Sequence, residues 1–296
     1  MLRINQSMVA ETTLTNVERN LDRLQQLQSQ LTSGSRITKP SDDPVGAARA
    51  LSFQEGVTQT GQYLTNIDQA SSWLNTTDST LGSVTDLLHR ARELAVQAAN
   101  GTLATEDLGA IKAEVTQLQQ DALNLSQSKF GNYYLFSGTR SDRPGYVQAA
   151  ASTSVPSAYQ GNSQPIEREI SPGVTMSVNA DAKATFDPVF DALDQLQQGV
   201  TNGSQATLQN SLGAMDKALD AVLTTRSQVG AKSNRLDFLK SRLTDVQVNL
   251  TGLLSNVKDV DMAQAITNFS MAQTTYQASL KAAAQALQPS LLDYLR

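Results

Sequence analysis

Both ends of the chain carry apolar residues at alternating spacings of three and four, and this pattern constrains the fold more than any other feature. The N-terminal stripe comprises Leu14, Val17, Leu21, Leu24 and Leu31. The C-terminal stripe comprises Met262, Ile266, Phe269, Tyr276, Leu280, Ala283 and Leu287. Such a narrow stripe stays on one helix face over many turns, as coiled-coil a and d positions do. Each stripe therefore needs a partner helix, from the other end of the chain or from another subunit.

Local signals predict where the first helices end and begin. The first helix is predicted from about residue 6 to residue 33, and Gly34 is well placed to end it, because glycine adopts a positive φ at little cost. Asp43 precedes Pro44, which is the usual order of an N-cap and the first helical residue. We therefore expect a loop before residue 44 and a second helix from about residue 45.

The strongest apolar stripe of the chain lies at residues 236–260, where all eight heptad positions are apolar. It predicts a long, coiled-coil-like helix. The phase of the stripe slips between Val260 and Met262, and Asp259 and Asp261 flank the slip. We expect a break or hinge there. Other stripes predict helices over residues 67–98, 108–125, 190–199 and 208–222. The helix over 108–125 is predicted to stop near Gly131, and the helix over 190–199 is predicted to end near Gly199.

The helical period disappears between residues 138 and 181, where prolines and glycines separate short alternating segments. Residues 166–170 and 174–178 are predicted strands, joined by a turn at Ser171, Pro172 and Gly173. This pattern indicates a small β insert. An aromatic cluster before it is interpreted as core packing rather than a ligand site; it comprises Phe130, Tyr133, Tyr134 and Phe136.

The order of helices, insert and helices predicts a mainly α fold. We expect an elongated helical rod of long coiled-coil-like helices, with a small β-rich insert and both termini together at one end. The predicted terminal coiled-coil domain comprises residues 1–44 and 258–296. The predicted helical rod domain comprises residues 45–138 and 182–257, and the insert comprises residues 139–181.

Composition argues against several classes of function. The 296 residues include no cysteine, which removes disulfides, thiolate metal ligands and cysteine nucleophiles. The net charge of −5, without a long basic run, argues against binding to nucleic acid or anionic membranes. We expect no cleaved secretory signal and no membrane span, because the apolar segments that either needs are missing.

The side chains that could carry chemistry have simpler structural interpretations. His89 is the single histidine, whereas a metal site usually needs three or four ligands. Asp42 and Asp43 could form an acid–base pair, but the flanking prolines favour loop and cap roles. Asp259 and Asp261 could bind a cation, but a hinge and an N-cap explain them better. We therefore predict no catalytic residues, no cofactor, no metal site and no enzymatic activity.

Several short motifs, in this order along the chain, resemble the flagellin-like family of bacterial flagellar axial proteins over essentially the whole length. They lie at residues 3–8, 31–37, 40–44, 90–100, 132–139 and 288–296. The Pro-Ser-Asp-Asp-Pro at 40–44 and the Tyr-Leu-Phe-Ser-Gly-Thr at 134–139 are similar to the hook–filament junction members of that family rather than to flagellins.

The resemblance implies a structural role and a set of partners. It implies a ring of identical subunits between hook-associated protein 1 and flagellin, export through the flagellar type III pathway, and a location in the bacterial flagellum outside the cell. It implies a cytoplasmic export chaperone at the C-terminal segment. It also implies terminal segments that are largely disordered in the monomer and form coiled-coil helices on assembly.

We predict an assembly interface made of the two terminal stripes together with Leu291. Two alternatives stay open: a short flagellin that forms the filament itself, and a secreted effector or adhesin whose activity resides in the β insert. An ordinary bundle within one chain would also bury the terminal stripes. The polar, mostly uncharged residues that flank the stripes argue against that bundle, because a soluble two-stranded coil usually has Glu and Lys there.

Overall fold

The computed structural model describes residues 6–100, 105–148 and 159–287. In these residues it contains the following elements in chain order: α1 Gln6–Ser33, α2 Pro44–Ala99, α3 Thr105–Ser126, β1 Lys129–Phe130, β2 Tyr133–Tyr134, β3 Glu167–Ser171, β4 Val174–Ser177, α4 Ala182–Asn202, α5 Gln205–Lys258 and α6 Met262–Leu287. The predicted mainly α class with a small β component is confirmed. None of the described helices has both the length and the apolarity that a membrane span needs.

The chain divides into two compact units. The terminal unit comprises residues up to Gln59 and from Val246 onward, and the central unit comprises residues between Thr60 and Asp245. The three-part division predicted from the sequence, with boundaries at residues 44, 138, 181 and 257, stays a prediction.

The core of the central unit follows the stripe predicted for α2. Every residue of that stripe is buried: Ile67, Ala70, Leu74, Leu81, Val84, Leu88, Ala91, Ala95 and Ala98. The helix buries them because the 3-4 spacing places all of them on one face. α3 packs against α4 in the same unit, and α4 and α5 contribute Leu193, Leu196, Met215 and Val222 to the core.

The ends of α4 show one correction to the sequence analysis. The helix begins after Asp181, whose carboxylate accepts hydrogen bonds from the backbone N–H groups of Lys183 and Ala184. Its predicted end near Gly199 is wrong, because α4 continues to Asn202 and ends at Gly203, which has φ +61°. Gly199 has a packing role instead, since a Cβ there would lie 2.9 Å from the side chain of Leu208.

The β structure begins before the predicted insert. α3 ends at Ser126, and the strands β1 and β2 pair antiparallel around Gly131, which has φ +60°. The sequence analysis missed this hairpin because its strands have only two residues each. The predicted hairpin is confirmed: β3 pairs antiparallel with β4, and Ser171 stands opposite Val174 across Pro172 and Gly173.

An aromatic cluster attaches the insert to α4. Tyr146 is buried against Phe186 and Phe190, with ring centroids 6.1 and 5.0 Å away. Its hydroxyl donates to the Asp187 carboxylate at 2.6 Å. Burial raises the pKa of Tyr146, and burial also raises the pKa of Tyr159 to about 12. The predicted core role is confirmed for the neighbouring Phe136, which is fully buried, and wrong for Tyr133, which is 57% exposed.

Candidate assembly interface

The two ends of the chain meet in the terminal unit, where α1 packs against α6. On α1 the half-buried positions recur every three or four residues: Ala10, Thr13, Val17, Asn20, Leu24, Leu27 and Leu31. On α6 the covered positions are Ala265, Asn268, Ala272, Tyr276, Ser279 and Ala283. Both series have the spacing of a coiled-coil seam, so within one chain each terminal helix has the other as its partner.

The predicted residues of α1 lie mostly on this seam. Val17, Leu21, Leu24 and Leu31 are half-buried. Leu14 is 59% exposed and therefore faces away from α6. Leu27 belongs to the seam although the prediction omitted it, and its place three residues after Leu24 and four before Leu31 was the signal that could have identified it.

The predicted residues of α6 divide between two faces. Phe269, Tyr276 and Ala283 are half-buried on the side of α1. In contrast, Met262, Ile266 and Leu280 are 47%, 54% and 43% exposed. The side chain of Leu287 and the whole of Leu291 lie outside the described residues. The predicted stripe of α6 thus combines residues that α1 covers with residues that are exposed. The role of the stripe in assembly stays a prediction.

The sequence analysis missed the small residues that make close contact with α1. Ala265 is the most buried residue of α6, at 3% exposure. Ala272 and Ser279 follow it at exact intervals of seven, and both are half-buried. Small side chains let two helix backbones approach closely, so this heptad of small residues was the available signal. Met271 is 58% exposed, but its position nine residues after Met262 places it on a different side of the helix from Met262, Ile266 and Leu280.

The break between α5 and α6 lies where the phase slip predicted it. α5 ends at Lys258, and the Asp261 carboxylate accepts from the backbone N–H groups of Ala263 and Gln264 at 3.0 and 3.1 Å. Asp261 is therefore an N-cap of α6. The backbone of Asp259 forms an isolated antiparallel β-bridge with Ser35, which lies just after α1.

The loop after α1 holds the end of α5. The backbone N–H of Arg36 donates to the carbonyl of Lys258 at 2.7 Å, and its guanidinium donates to the carbonyl of Val257 at 2.9 Å. The same guanidinium pairs with Asp43 at 3.2 Å. Because a guanidinium satisfies carbonyls that no helical N–H can reach, Arg36 caps the C-terminus of α5.

Asp42 and Asp43 have the loop and cap roles predicted for them. Hydrogen bonds from the Lys39 backbone N–H and the Thr38 hydroxyl lower the pKa of Asp42. Asp43 accepts from the Gly46 backbone N–H at 2.9 Å, and that bond, followed by Arg36, lowers its pKa. Both carboxylates are thus held in the ionised form, which suits acceptors better than a proton-exchanging pair.

The loop also borders a shallow apolar groove in the terminal unit. Its walls include Ile37, Pro40, Ala47 and Leu254, and its volume is about 210 Å³. Leu51, which also lines the groove, is 71% exposed. Within residues 6–100, 105–148 and 159–287, no three His, Asp or Glu side chains come together as a metal site would require.

Two family models match the chain at its two ends. The bacterial flagellin N-terminal helical region matches residues 4–141, and the bacterial flagellin C-terminal helical region matches residues 212–295. These matches include all of α1, α2, α3 and α6, and together they span most of the sequence. The chain belongs to the bacterial flagellin family.

Individual members of the flagellin family match over nearly the whole chain. The flagellar hook-associated protein 3 of Escherichia coli is 26% identical, over 95% of this chain and 96% of its own length. A flagellin of Halalkalibacterium halodurans is 28% identical, over 99% of each chain. A solved flagellar hook-associated protein of Vibrio parahaemolyticus has the same fold, with a TM-score of 0.65 and 21% identity over 74% of this chain and 100% of its own.

Proposed function

We propose that this flagellin-family protein is a structural subunit of the hook–filament junction, the role implied for hook-associated protein 3. In this proposal, identical subunits form a ring between hook-associated protein 1 and the flagellin filament. The observation that carries it is the open face of α6. Its exposed residues Met262, Ile266 and Leu280 are apolar, although the adjacent face of the same helix already has a partner within the chain.

The exposed apolar side chains of the open face would be removed from water if another subunit covered them, and this burial would stabilise the contact. Met262, Ile266 and Leu280 are 43–54% exposed on a helix that also contacts α1. Complete burial of one such side chain contributes about 1.5–3 kcal/mol. A neighbouring subunit that covered these three side chains would therefore add several kcal/mol that the lone chain does not gain.

The proposed partners and route follow from the family. Hook-associated protein 1 would contact the ring on the hook side, and flagellin would contact it on the distal side. The chain would leave the cell unfolded through the flagellar type III pathway, with a cytoplasmic chaperone on its C-terminal segment until export. A chain without cysteine suits this route, because no disulfide can form before or after transit.

Deletion of the gene in its native bacterium tests the proposal. We expect cells that retain hooks but lack filaments and release flagellin monomers into the medium, because filament growth would have no base. Re-expression of the intact chain restores filaments. Normal filaments on the deletion strain would contradict the junction role.

A short flagellin is the second candidate, supported by relatives such as the Halalkalibacterium protein. Purified protein distinguishes the two candidates. A filament subunit polymerises alone into long filaments under conditions where flagellins do so, and it is present in many copies per flagellum. A junction subunit stays unpolymerised and is present in few copies at the filament base, which is the result we expect.

A further inference from the structure

Phe238 is the most exposed aromatic side chain in the described part of the chain, with 70% of its surface accessible. It lies on α5 in the central unit. Its neighbour Leu236 is fully buried and Leu239 is half-buried, so Phe238 is on the opposite side of the helix from the core. One exposed phenyl ring is by itself unremarkable in a soluble protein, and its significance depends on what could receive it.

The same unit contains a cavity of about 380 Å³ with aromatic and aliphatic walls. Its walls include Ala70, Trp73, Phe130, Tyr133, Ile166 and Val178. Trp73 and Phe130 stand edge to face, with ring centroids 5.8 Å apart. Tyr133 is 57% exposed, so the cavity is open to solvent on its side. Since a cavity of about 150 Å³ accommodates benzene, this one has room for a phenyl ring.

Phe238 and the cavity lie at the same level of the central unit. Lys240 on α5 pairs with Asp68 on α2 at 2.7 Å. Phe238 is two residues from Lys240, and the cavity residue Gln69 is next to Asp68. Two residues of helix correspond to about 3 Å. The exposed ring and the open cavity therefore lie at similar positions along the length of the helices α2 and α5.

We infer that Phe238 of one subunit inserts into this cavity of its neighbour. The inference rests on the proposed function, in which identical subunits lie side by side. The contact joins two different surfaces, so it is heterologous, and a heterologous contact repeated with a closing rotation produces a ring. Aromatic side chains that fill a pocket on a partner are the typical main contributors to an interface.

Charges near the two surfaces fix the orientation of the contact. Asp237 stands next to Phe238, and Arg168 lines the cavity. Exposed Arg235 and Arg242 lie one turn to either side of Phe238, and exposed Glu167 precedes Arg168 on β3. Each surface therefore carries both signs. Such pairs contribute to orientation and specificity more than to affinity.

Cysteine cross-linking tests the contact, because the chain has no cysteine of its own. We combine Ser241→Cys, an exposed position one turn from Phe238 that leaves the ring in place, with Tyr133→Cys at the exposed edge of the cavity, and oxidise isolated flagella. A disulfide needs the two Cα atoms within about 7 Å, so only a direct contact permits it. The control pair is Leu223→Cys with Tyr133→Cys, because Leu223 is 49% exposed on the same helix but about 22 Å along it from Phe238.

A second variant tests the contribution of the ring itself. Phe238→Ser removes the phenyl group from an exposed position, and Leu223→Ser is the matched control. We expect both purified proteins to melt at the wild-type temperature. We expect at least a tenfold loss of filament-bearing cells with Phe238→Ser and none with Leu223→Ser.

We expect disulfide-linked multimers from the Ser241 pair, and none from the control pair or from either single cysteine. Monomer alone, in flagella that contain the protein, would overturn the inference and leave the proposed function standing. Cross-linked dimers from Ser241→Cys alone would also overturn it, since they indicate a contact between two copies of the same surface. Absence of the chain from flagella would overturn both.

Discussion

Arg226 of α5 and Asp78 of α2 form an ion pair through two contacts, of 3.0 and 3.4 Å. Two further pairs join the same helices, at Arg92 with Asp216 and at Lys240 with Asp68. In these three pairs the residue number increases along α2 while it decreases along α5, so the two helices run antiparallel. The hydrogen bond from Arg226 to Asp78 raises the pKa of that guanidinium further.

Asp78→Asn is predicted to lower the free energy of unfolding by about 1 kcal/mol, because the pair is two-pronged and only partly exposed. Chemical denaturation measures the change. The control is Arg143→Gln, which breaks a pair with Asp142 in which both side chains are at least 64% exposed. We expect no measurable change there, and equal losses in the two variants would contradict the assigned role of Asp78.

Tyr146→Phe is predicted to destabilise the central unit by about 1–3 kcal/mol. The substitution retains the ring within its aromatic cluster but leaves the Asp187 carboxylate without the hydroxyl that donates to it at 2.6 Å. Thermal unfolding followed by circular dichroism reports the effect. Tyr133→Phe is the comparison, since Tyr133 is 57% exposed. A wild-type unfolding temperature for Tyr146→Phe would show that the buried hydrogen bond contributes little to stability.

Gly138→Ala is predicted to cost more stability than Gly131→Ala. Both glycines have a positive φ, +63° and +60°, which costs an alanine about 1–2 kcal/mol. At Gly138 a Cβ would also overlap the backbone carbonyl of Asn162, whereas open space surrounds Gly131. Urea denaturation of both variants separates the cost of the positive φ from the cost of the overlap with Asn162. Equal losses would mean that the loop around Asn162 moves aside freely.

Acid is predicted to weaken the loop between α1 and α2. The pKa values of Asp42 and Asp43 lie below their ordinary value of 3.8. A carboxyl whose folded-state pKa is depressed stabilises the fold above its unfolded-state pKa, and this stability is lost as pH falls through the folded-state value. We therefore expect this stabilisation by Asp42 and Asp43 to be lost below about pH 4.

Carboxyl titration by NMR checks this directly. We expect Asp42 and Asp43 to titrate below 3.8 and Asp194 above it, because burial raises the pKa of Asp194. Asp43→Asn should remove the part of the acid sensitivity that depends on Gly46 and Arg36. Titration of all three groups at one common pH would contradict the hydrogen-bonding pattern of the loop.

Leu280→Asp is predicted to abolish incorporation into flagella while leaving the monomer folded. Leu280 is 43% exposed on the open face of α6, so a carboxylate there is hydrated in the lone chain but would be buried against a neighbour. The readouts are circular dichroism of the purified protein and filament counts on complemented cells. Leu223→Asp is the matched exposed control on α5, and normal filaments with Leu280→Asp would refute the assembly role of this face.

Features encoded by neighbouring residues were predictable from the sequence. Gly34 follows the last residue of α1 with φ +67°, and Asp43 caps α2 with Pro44 as its first residue. The break at Asp261 was marked by a shift in heptad phase. The hairpin at Pro172 and Gly173 had its own turn residues. Each of these follows from hydrogen bonds or φ preferences within a few residues, so no knowledge of the packing was needed.

Features that depend on a distant partner were not predictable. α6 has two apolar series at heptad spacing, one with Ile266 and Leu280 and one with Ala265 and Ala272. Hydrophobicity alone favours the larger side chains, yet α1 covers the smaller ones, because close approach of two helices requires small residues between them. The cavity beside Trp73 likewise exists only because β1, β2 and β3 converge on α2.

The amino-acid sequence by itself determined the family, the order of the long helices, the hairpin at Pro172 and Gly173, and the helix ends marked by Gly34, Asp43 and Asp261, since these follow from spacing and from local backbone preferences. Only the tertiary structure decided which face of each helix is covered. That choice depends on the shapes of two segments far apart in the chain, and a helical period shows that an apolar face exists without showing what covers it.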